Sequence, residues 1–232
     1  TPIKSSAASD VYKRQNVYQW GNNEAQYYTS GRKENAWVSD GVLRITALKE
    51  PMEGRSYTSA RLITKGKGDW LYGRFEIRAK LPTGRGTWPA IWMLPTDWEY
   101  GDWPKSGEID IMENKGYQPN IVSSALHFPG HSGGNPITQT FGYESQRFDT
   151  DFHIFAVEWD ESQIDFFVDN VLYKRVKVAD VTDGEWVFDH PFFIILNVAV
   201  GGTFGGDPTA DTVFPQSMYV AVSYTHLTLP TT

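Results

Sequence analysis

Three carboxylates stand close together in one short stretch of this 232-residue chain. Glu108, Asp110 and Glu113 lie within the segment GEIDIMEN, between a glycine and an asparagine. The residues between them are isoleucines and a methionine, a composition typical of a buried β-strand. Closely spaced carboxyl groups are side chains that can serve as general acids, general bases and nucleophiles. The segment 107–114 is therefore the first candidate for an active site.

The spacing of these carboxylates does not fit a regular strand. Successive side chains of a strand point to opposite faces, so Glu108 and Asp110 share one face and Glu113 points to the other. One extra residue, bulged at Ile111 or Met112, would return Glu113 to the first face, and bulges are common beside active sites. We therefore predict such a bulge, with the carboxyls of Glu108 and Glu113 about 5 to 6 Å apart on one face.

An acidic edge strand with its carboxylates in water is the alternative explanation. It does not fit, because Ile109, Ile111 and Met112 are apolar and must be buried, which indicates a central strand. Carboxylates aligned on a central strand repel one another, and burial raises the pKa of one of them so that it stays protonated. Two carboxyls about 5 Å apart are what a retaining glycosidase needs as nucleophile and acid/base. The residues themselves therefore favour glycosidase chemistry.

The run E-I-D-I-M-E also resembles the active-site signature of glycoside hydrolase family 16, in the longer, bulged form of the laminarinases, which are endo-β-1,3-glucanases. Five stretches resemble laminarinase blocks in the family's order: NNEAQYYT (22–29), SYTSARLITK (56–65), YGRFEIRAKLPTGRGTWPAIWMLP (72–95), DWPKSGEIDIMEN (102–114) and FDHPFFIILNVAVGG (188–202). The resemblance implies that Glu108 is the nucleophile and Glu113 the acid/base. It implies that Asp110 hydrogen-bonds to the nucleophile and tunes it.

Aromatic and histidine side chains are candidates for sugar contacts, because flat indole faces pack well on pyranose rings. Trp103, five residues before Glu108, is either a loop anchor or, as the resemblance favours, a stacking residue at the cleaved sugar. Trp88 and Trp92 share a face if their strand is regular, and each could equally be a core residue. A lone histidine on an apolar strand is more often a core residue, but His127 matches a family histidine near the acid/base.

Three polar residues complete the predicted substrate-binding set. Asn23 and Arg61 resemble family positions that hydrogen-bond to sugar hydroxyls, and spacing alone singles out neither. Asn197 lies in a buried run, needs a hydrogen-bond partner, and is either structural or part of the cleft. Phe204 stands where many laminarinases have tryptophan, a departure that concerns how the glucan stacks. No metal-binding residue is predicted.

Period-two alternation dominates the chain and predicts an all-β fold. It marks half-buried strands at 42–49, 72–81 and 153–160, and a hairpin at 163–178 with Asp169–Asn170 as its turn. Nearly continuous apolar runs, such as FFIILNVAV, predict central strands covered on both faces. Many short strands with Gly/Pro turns favour a sandwich. The resemblance implies a β-jelly roll of two antiparallel sheets, with the substrate cleft on the concave sheet.

The composition limits the classes of partner. The net charge of −7 argues against nucleic acid or an anionic membrane as a partner. The absence of cysteine excludes a disulfide framework and a thiolate metal site, and no apolar run is long enough to span a bilayer. We expect a monomer that binds a polysaccharide and needs no cofactor. The resemblance implies a secreted or extracytoplasmic protein and leaves open a structural calcium ion in the full-length protein.

The two ends of the chain resemble translated nucleotide adapter. A coding string for residues 5–15, when reverse-complemented, encodes residues 222–231, and it resembles the adapter of transposase-based sequencing libraries. We therefore predict that residues 1–15 and 221–232 are non-native tails with few contacts to the fold. Residues 16–220 would then form one catalytic domain with both edge strands truncated.

Two other functions compete with β-1,3-glucan hydrolysis. The same site could act on mixed-linkage β-1,3-1,4-glucan, or on another family 16 polysaccharide such as agar. A non-catalytic β-glucan-binding lectin is disfavoured, because such proteins typically lack the carboxylates, and all three are present here. The blocks SARLITK and LNVAVGG resemble laminarinases, so we predict a retaining endo-glycosidase that cleaves β-1,3-glucan by double displacement.

Overall fold

The chain folds as a sandwich of two β-sheets in a computed structural model that describes residues 19–221 and the backbone of 226–227. Residues 1–18, 222–225 and 228–232 lie outside the described residues, and with them lies most of both predicted adapter-derived tails. Strands dominate the described residues, and helix is confined to single turns. The predicted all-β jelly roll is confirmed.

Strands are numbered along the chain, and ten of them form the larger sheet. They are β1 (Gln26–Tyr28), β2 (Ala36–Ser39), β3 (Val42–Met52), β4 (Arg55–Ser59), β7 (Gly73–Lys80), β12 (His153–Trp159), β13 (Gln163–Val168), β14 (Val171–Lys177), β16 (Gln216–Ala221) and β17 (His226–Leu227). The order is β1-β4-β3-β16-β7-β12-β13-β14, with β2 beside β3 and β17 beside β7. The sheet is antiparallel except that β1 runs parallel to β4, which departs from the predicted antiparallel sheets. The long connection through β2 and β3 permits this parallel pair.

The smaller sheet has seven strands and carries most of the candidate site residues. They are β5 (Arg61–Ile63), β6 (Asp69–Trp70), β8 (Thr87–Pro95), β9 (Glu108–Glu113), β10 (Ile121–His127), β11 (Ile137–Gly142) and β15 (Phe192–Val200). The order is β11-β10-β9-β8-β15-β5, with β6 beside β15. Helical turns occupy Gln19–Gly21, Val178–Asp180 and Gly202–Gly205. No helix in the described part of the chain is long and apolar enough to cross a membrane.

The core lies between the sheets, where the apolar faces of the strands meet. Phe75 and Phe155 from the larger sheet and Ile91 and Met93 from the smaller one are fully buried in one cluster. Burial of this apolar surface is the main stabilising contribution. Every residue of β15 is buried, which confirms the prediction of a central strand covered on both faces.

Two local predictions can be compared with the backbone. Asp169 and Asn170 have φ of 49° and 65° between β13 and β14, which confirms the predicted hairpin turn. His226 and Leu227 pair with β7, a contact that the tail prediction did not anticipate. Unpaired backbone groups along a strand edge recruit neighbouring chain in this way. The domain boundaries themselves stay a prediction.

Candidate active site

Strand β9 contains the predicted bulge. The consecutive β8 residues Ile91 and Trp92 pair with Met112 and Asp110, so Ile111 is an extra residue on β9. The register between β9 and β10 shifts at the same place. The prediction of a bulge at Ile111 or Met112 is therefore confirmed.

The bulge turns the three carboxylates to the outer face of the smaller sheet. The isoleucines and methionine between them are at most 1% exposed and face the core. Glu108 and Glu113 are part-exposed at the two ends of β9, and Asp110 between them is 3% exposed. Carboxyl oxygens of Glu108 and Asp110 lie within 4.8 Å of each other, and the charge of Asp110 raises the pKa of Glu108. Carboxyls this close and this buried are coupled and tend to keep a proton between them.

Two indole N–H groups donate to the outer carboxylates. Trp103 Nε1 lies 2.8 Å from Glu108 Oε2, and Trp88 Nε1 lies 3.0 Å from Glu113 Oε1. A donor of this kind favours the ionised form of the carboxyl that accepts it. Trp103 belongs to the loop between β8 and β9 and is 45% exposed, so its ring also remains open to a sugar. The structure therefore places both tryptophans in direct contact with the candidate catalytic groups.

His127 lies on β10 opposite Glu108, as the prediction of a site histidine requires. Its Nε2 is 3.2 Å from Asp110 Oδ2, and the Gly133 backbone N–H donates to its Nδ1 at 3.2 Å. Because Nδ1 accepts from the backbone, the other ring nitrogen, Nε2, is the one that faces Asp110. Ligand atoms of Glu108, Asp110 and His127 all lie within 4.8 Å of one another, so this group could also hold a metal ion.

The carboxyl groups retain protons at neutral pH. Burial, followed by the charge of Asp110, raises the pKa of Glu108 to about 8. Burial, followed by the charge of Glu108, raises the pKa of Glu113 to about 7. Burial and the charge of Glu113 hold the pKa of Asp110 well above its usual range. The site can therefore supply a proton and an ionised carboxylate at the same pH.

These pKa directions predict that the Glu113→Gln variant gains stability relative to the wild type as the pH rises. The folded state keeps a proton on Glu113 up to about pH 7, whereas the unfolded chain loses it near pH 4.5. The free energy of unfolding of the wild type therefore falls across this window. Glutamine does not titrate, so the variant is expected to be more stable than the wild type by about 2 kcal/mol at pH 8. Thermal melts at pH 4.5 and pH 8 would measure this, and a stability difference that does not change with pH would contradict it.

A second group of predicted residues lies on the neighbouring strands β8, β15 and β5. The Arg61 guanidinium lies between two indoles, 4.3 Å from the Trp20 ring and 4.5 Å from the Trp92 ring. Trp92 donates its N–H to Asn197 Oδ1 at 2.7 Å, and the Asn197 amide donates to the Tyr28 hydroxyl at 3.1 Å. Asn197 is only 6% exposed, so its amide orients Trp92 from below the surface.

Asn23 lies on an exposed turn with φ of 58°, close to the Trp88 end of the sheet. A Cβ atom on Gly202 would approach both the Asn22 carbonyl and the Trp88 ring to 3.1 Å, which shows how near this turn lies to Trp88. Phe204 packs against Trp88, with ring centroids 5.1 Å apart. The Asn23 backbone is therefore near the site, and its predicted sugar contact stays a prediction.

Sequence reasoning missed several residues that support the site. Trp20 stacks on Arg61, and Lys115 favours the ionised form of Glu113. Glu24 is 5% exposed, carries a pKa raised by burial, and accepts hydrogen bonds from Gln26 and Tyr28. The alternation of Glu24, Gln26 and Tyr28 could have identified this buried polar face. Trp20 and Lys115 carry no comparable signal in the sequence.

The fold and the site together define a class of protein. A jelly roll with protonatable carboxyls on one sheet face, flanked by indoles, has the features of a retaining glycoside hydrolase. The comparisons agree, because the family described as glycosyl hydrolases family 16 matches residues 22–221. The chain belongs to this family and is a glycoside hydrolase.

Individual relatives support this assignment. The chain is 51% identical over 211 residues to a β-glucanase of Rhodothermus marinus, covering 87% of this chain and 73% of the relative. It is 40% identical over 225 residues to glucan endo-1,3-β-glucosidase A1 of Niallia circulans, covering 87% of this chain but only 32% of that longer protein. The laminarinase catalytic domain of Thermotoga maritima superposes with a TM-score of 0.85 at 43% identity, covering 95% of this chain and 93% of the other.

Proposed function

We propose that this chain is a retaining endo-glycosidase that hydrolyses β-1,3-glucan of the laminarin type. The observation that carries the proposal is the bulge at Ile111, because it brings Glu113 onto the face of Glu108 and Asp110. Support for the substrate comes from relatives whose names state β-glucanase, endo-1,3-β-glucosidase or laminarinase activity. The proposed chemistry needs no cofactor.

In the first step, the ionised carboxylate of Glu108 attacks the anomeric carbon of the sugar. The carboxylic acid of Glu113 protonates the oxygen of the leaving sugar, and the glycosidic bond breaks. In the second step, Glu113 acts as a base on water, which hydrolyses the covalent glycosyl-enzyme. The product keeps the β configuration because the anomeric carbon is inverted twice.

The charge state that this mechanism needs is one proton on Glu113 and none on Glu108. The pKa of Glu108, about 8, lies above that of Glu113, about 7, so these values taken alone place the proton on Glu108, and it is the resemblance that assigns the roles. Asp110 is the most buried of the three and its pKa is also raised, so we propose that it carries the proton shared with Glu108 and leaves Glu108 ionised. The Asp110 hydroxyl and the Trp103 indole would then both donate to Glu108, which stabilises the ionised nucleophile.

The proposal includes a monomeric enzyme that acts outside the cytoplasm. Insoluble or very long glucans cannot enter a cell, so an endo-acting enzyme has to meet them outside. The acidic net charge of −7 works against self-association at neutral pH. Size-exclusion chromatography with light scattering would test the monomer, and a concentration-independent dimer would contradict it.

A substrate comparison tests the proposed specificity. We expect rapid release of short β-1,3-linked oligosaccharides from laminarin, at least tenfold slower hydrolysis of lichenan, and none of agarose. Products would be identified by chromatography and linkage analysis. The Glu108→Gln variant is the control, because it keeps the shape of the site and loses the nucleophile. Hydrolysis of lichenan faster than laminarin would favour the mixed-linkage alternative, and glucan binding without any products would favour a lectin.

A further inference from the structure

The loop between β8 and β9, residues 96–107, holds Trp103 against the catalytic strand. The Trp103 ring is 45% exposed and meets the His127 ring at a centroid distance of 5.9 Å, so this contact and the backbone of the loop together set the position of its N–H over Glu108. Within the loop, Ser106 Oγ donates to the Gly101 carbonyl and accepts from the Tyr100 N–H. The position of the indole therefore depends on how this loop is attached to the rest of the protein.

His190 joins the two ends of this loop. It precedes β15 and is 5% exposed. Its Nδ1 lies 2.7 Å from Asp97 Oδ1 near the start of the loop, and its Nε2 lies 3.0 Å from the Ser106 carbonyl oxygen near the end. One imidazole thus bridges residues nine positions apart in the sequence. Ser106 lies two residues before Glu108, so the bridge reaches almost to the catalytic strand.

Both partners of the imidazole are hydrogen-bond acceptors. Partial burial raises the pKa of Asp97, but the hydrogen bond and charge interaction with His190 and the backbone hydrogen bonds together outweigh it, so the pKa is lowered overall from 3.8. Asp97 is therefore ionised at neutral pH. A carboxylate and a backbone carbonyl are both acceptors, so two acceptors on the loop hold the His190 ring, one at each of its nitrogens.

The other groups that face His190 do not change this hydrogen-bond pattern. Tyr100 meets the ring edge-on at 5.4 Å, and its hydroxyl donates to Asp189. That hydrogen bond raises the pKa of Tyr100 to about 12, so Tyr100 stays neutral. Phe192 packs against the imidazole with ring centroids 5.0 Å apart. The charged groups on this side of the ring are the carboxylates of Asp97 and Asp189.

We propose that His190, hydrogen-bonded at both nitrogens, is a positioning residue that sets Trp103 against Glu108. Loss of either hydrogen bond by substitution loosens the loop between the paired strands β8 and β9 and moves the indole away from the carboxylate. Displacements of about 1 Å in an active site can cost about 10²-fold in rate. For the loss of this bridge we expect kcat/KM to fall about tenfold, with KM changed less than kcat.

The first test needs no substrate. Proton–nitrogen NMR of the full chain labelled with ¹⁵N would report the indole N–H of each tryptophan, with the Trp103 signal assigned by its loss in Trp103→Phe. We expect the Trp103 signal to shift in His190→Gln, because its N–H leaves Glu108. Faster hydrogen exchange in residues 97–107 of the variant is also expected. An unmoved Trp103 signal, or unchanged exchange in the loop, would overturn the proposal.

The second test is kinetic and rests on the proposed function. On laminarin, kcat/KM is expected to fall about tenfold in His190→Gln. The matched control is His153→Gln, because His153 is also buried and contacts Asp169 at 2.7 Å, but lies on β12 of the larger sheet. This control should keep wild-type kcat/KM even if its melting temperature falls. The Asp97→Ala variant, at an exposed position, should reproduce the kinetic loss if His190→Gln does not fold.

The pH dependence separates positioning from simple destabilisation. The Trp103 N–H favours the ionised form of Glu108, so its displacement should raise the pKa of Glu108 and move the acidic limb of the kcat/KM profile to higher pH in His190→Gln but not in His153→Gln. An unmoved acidic limb, or equal losses in the His190 and His153 variants, would overturn the proposal. If no glucan were hydrolysed, the proposed function would fail, and the NMR test would still decide whether His190 positions Trp103.

Discussion

Replacing Glu108 by glutamine is expected to lower kcat on laminarin by about 10⁴-fold or more while leaving the fold intact. The amide has nearly the same shape and can still accept the indole hydrogen bond of Trp103. It cannot form the glycosyl-enzyme, because an amide oxygen is a poor nucleophile. The loss would therefore appear in kcat and much less in KM, which steady-state kinetics on laminarin would show.

The matched control for this variant is Glu50→Gln. Glu50 is a part-buried carboxylate that pairs with Arg32 and belongs to β3 of the larger sheet, outside the proposed site. Its replacement changes the charge by the same amount and should leave kcat near the wild-type value. Comparable losses in both variants would show that charge or stability, and not the nucleophile, explains the effect.

Replacing Glu113 by alanine is expected to slow hydrolysis of laminarin by about 10²- to 10⁴-fold, because the leaving sugar loses its proton donor. An aryl glycoside with a very acidic phenol needs no proton to leave, so its glycosylation step should be nearly unaffected. Water then attacks slowly without a base, and the covalent intermediate should accumulate. Burst kinetics with the aryl substrate would reveal this.

Azide distinguishes the roles of the two glutamates. Added to Glu113→Ala, azide is expected to restore turnover of the aryl glycoside and give a β-glycosyl azide, because it attacks the covalent intermediate in place of water. Added to Glu108→Ala, it should attack the substrate directly and give an α-glycosyl azide. The opposite pattern of configurations would reverse the roles assigned to Glu108 and Glu113.

The sequence predicts those parts of the site that follow from local geometry. The odd spacing from Glu108 to Glu113 conflicts with the period of a strand, so a bulge was predictable, and the structure has one at Ile111. The continuous apolar run of β15 predicted a central strand, because apolar side chains on both faces of a strand must both be covered. Both conclusions need only the alternation of side chains along one strand.

Contacts between distant segments could not be predicted in the same way. The sequence predicted sugar contacts for Trp88 and Trp103, but not that their N–H groups donate to Glu113 and Glu108. Those bonds depend on side-chain rotamers and on a loop whose ends are joined by His190. The parallel pairing of β1 with β4 likewise arises from a long connection and leaves no local pattern.

Covalent trapping tests the central claim most directly. A 2-deoxy-2-fluoro laminaribiosyl donor with a good leaving group should form a long-lived glycosyl-enzyme. The fluorine slows both the formation and the hydrolysis of this intermediate, and the good leaving group restores only the rate of formation, so the intermediate accumulates. Mass spectrometry of the intact protein would show one added laminaribiosyl unit, and peptide mapping would locate it. We predict that the label is on Glu108. A label on Glu113 or Asp110, or turnover of the donor without any covalent adduct, would contradict the mechanism.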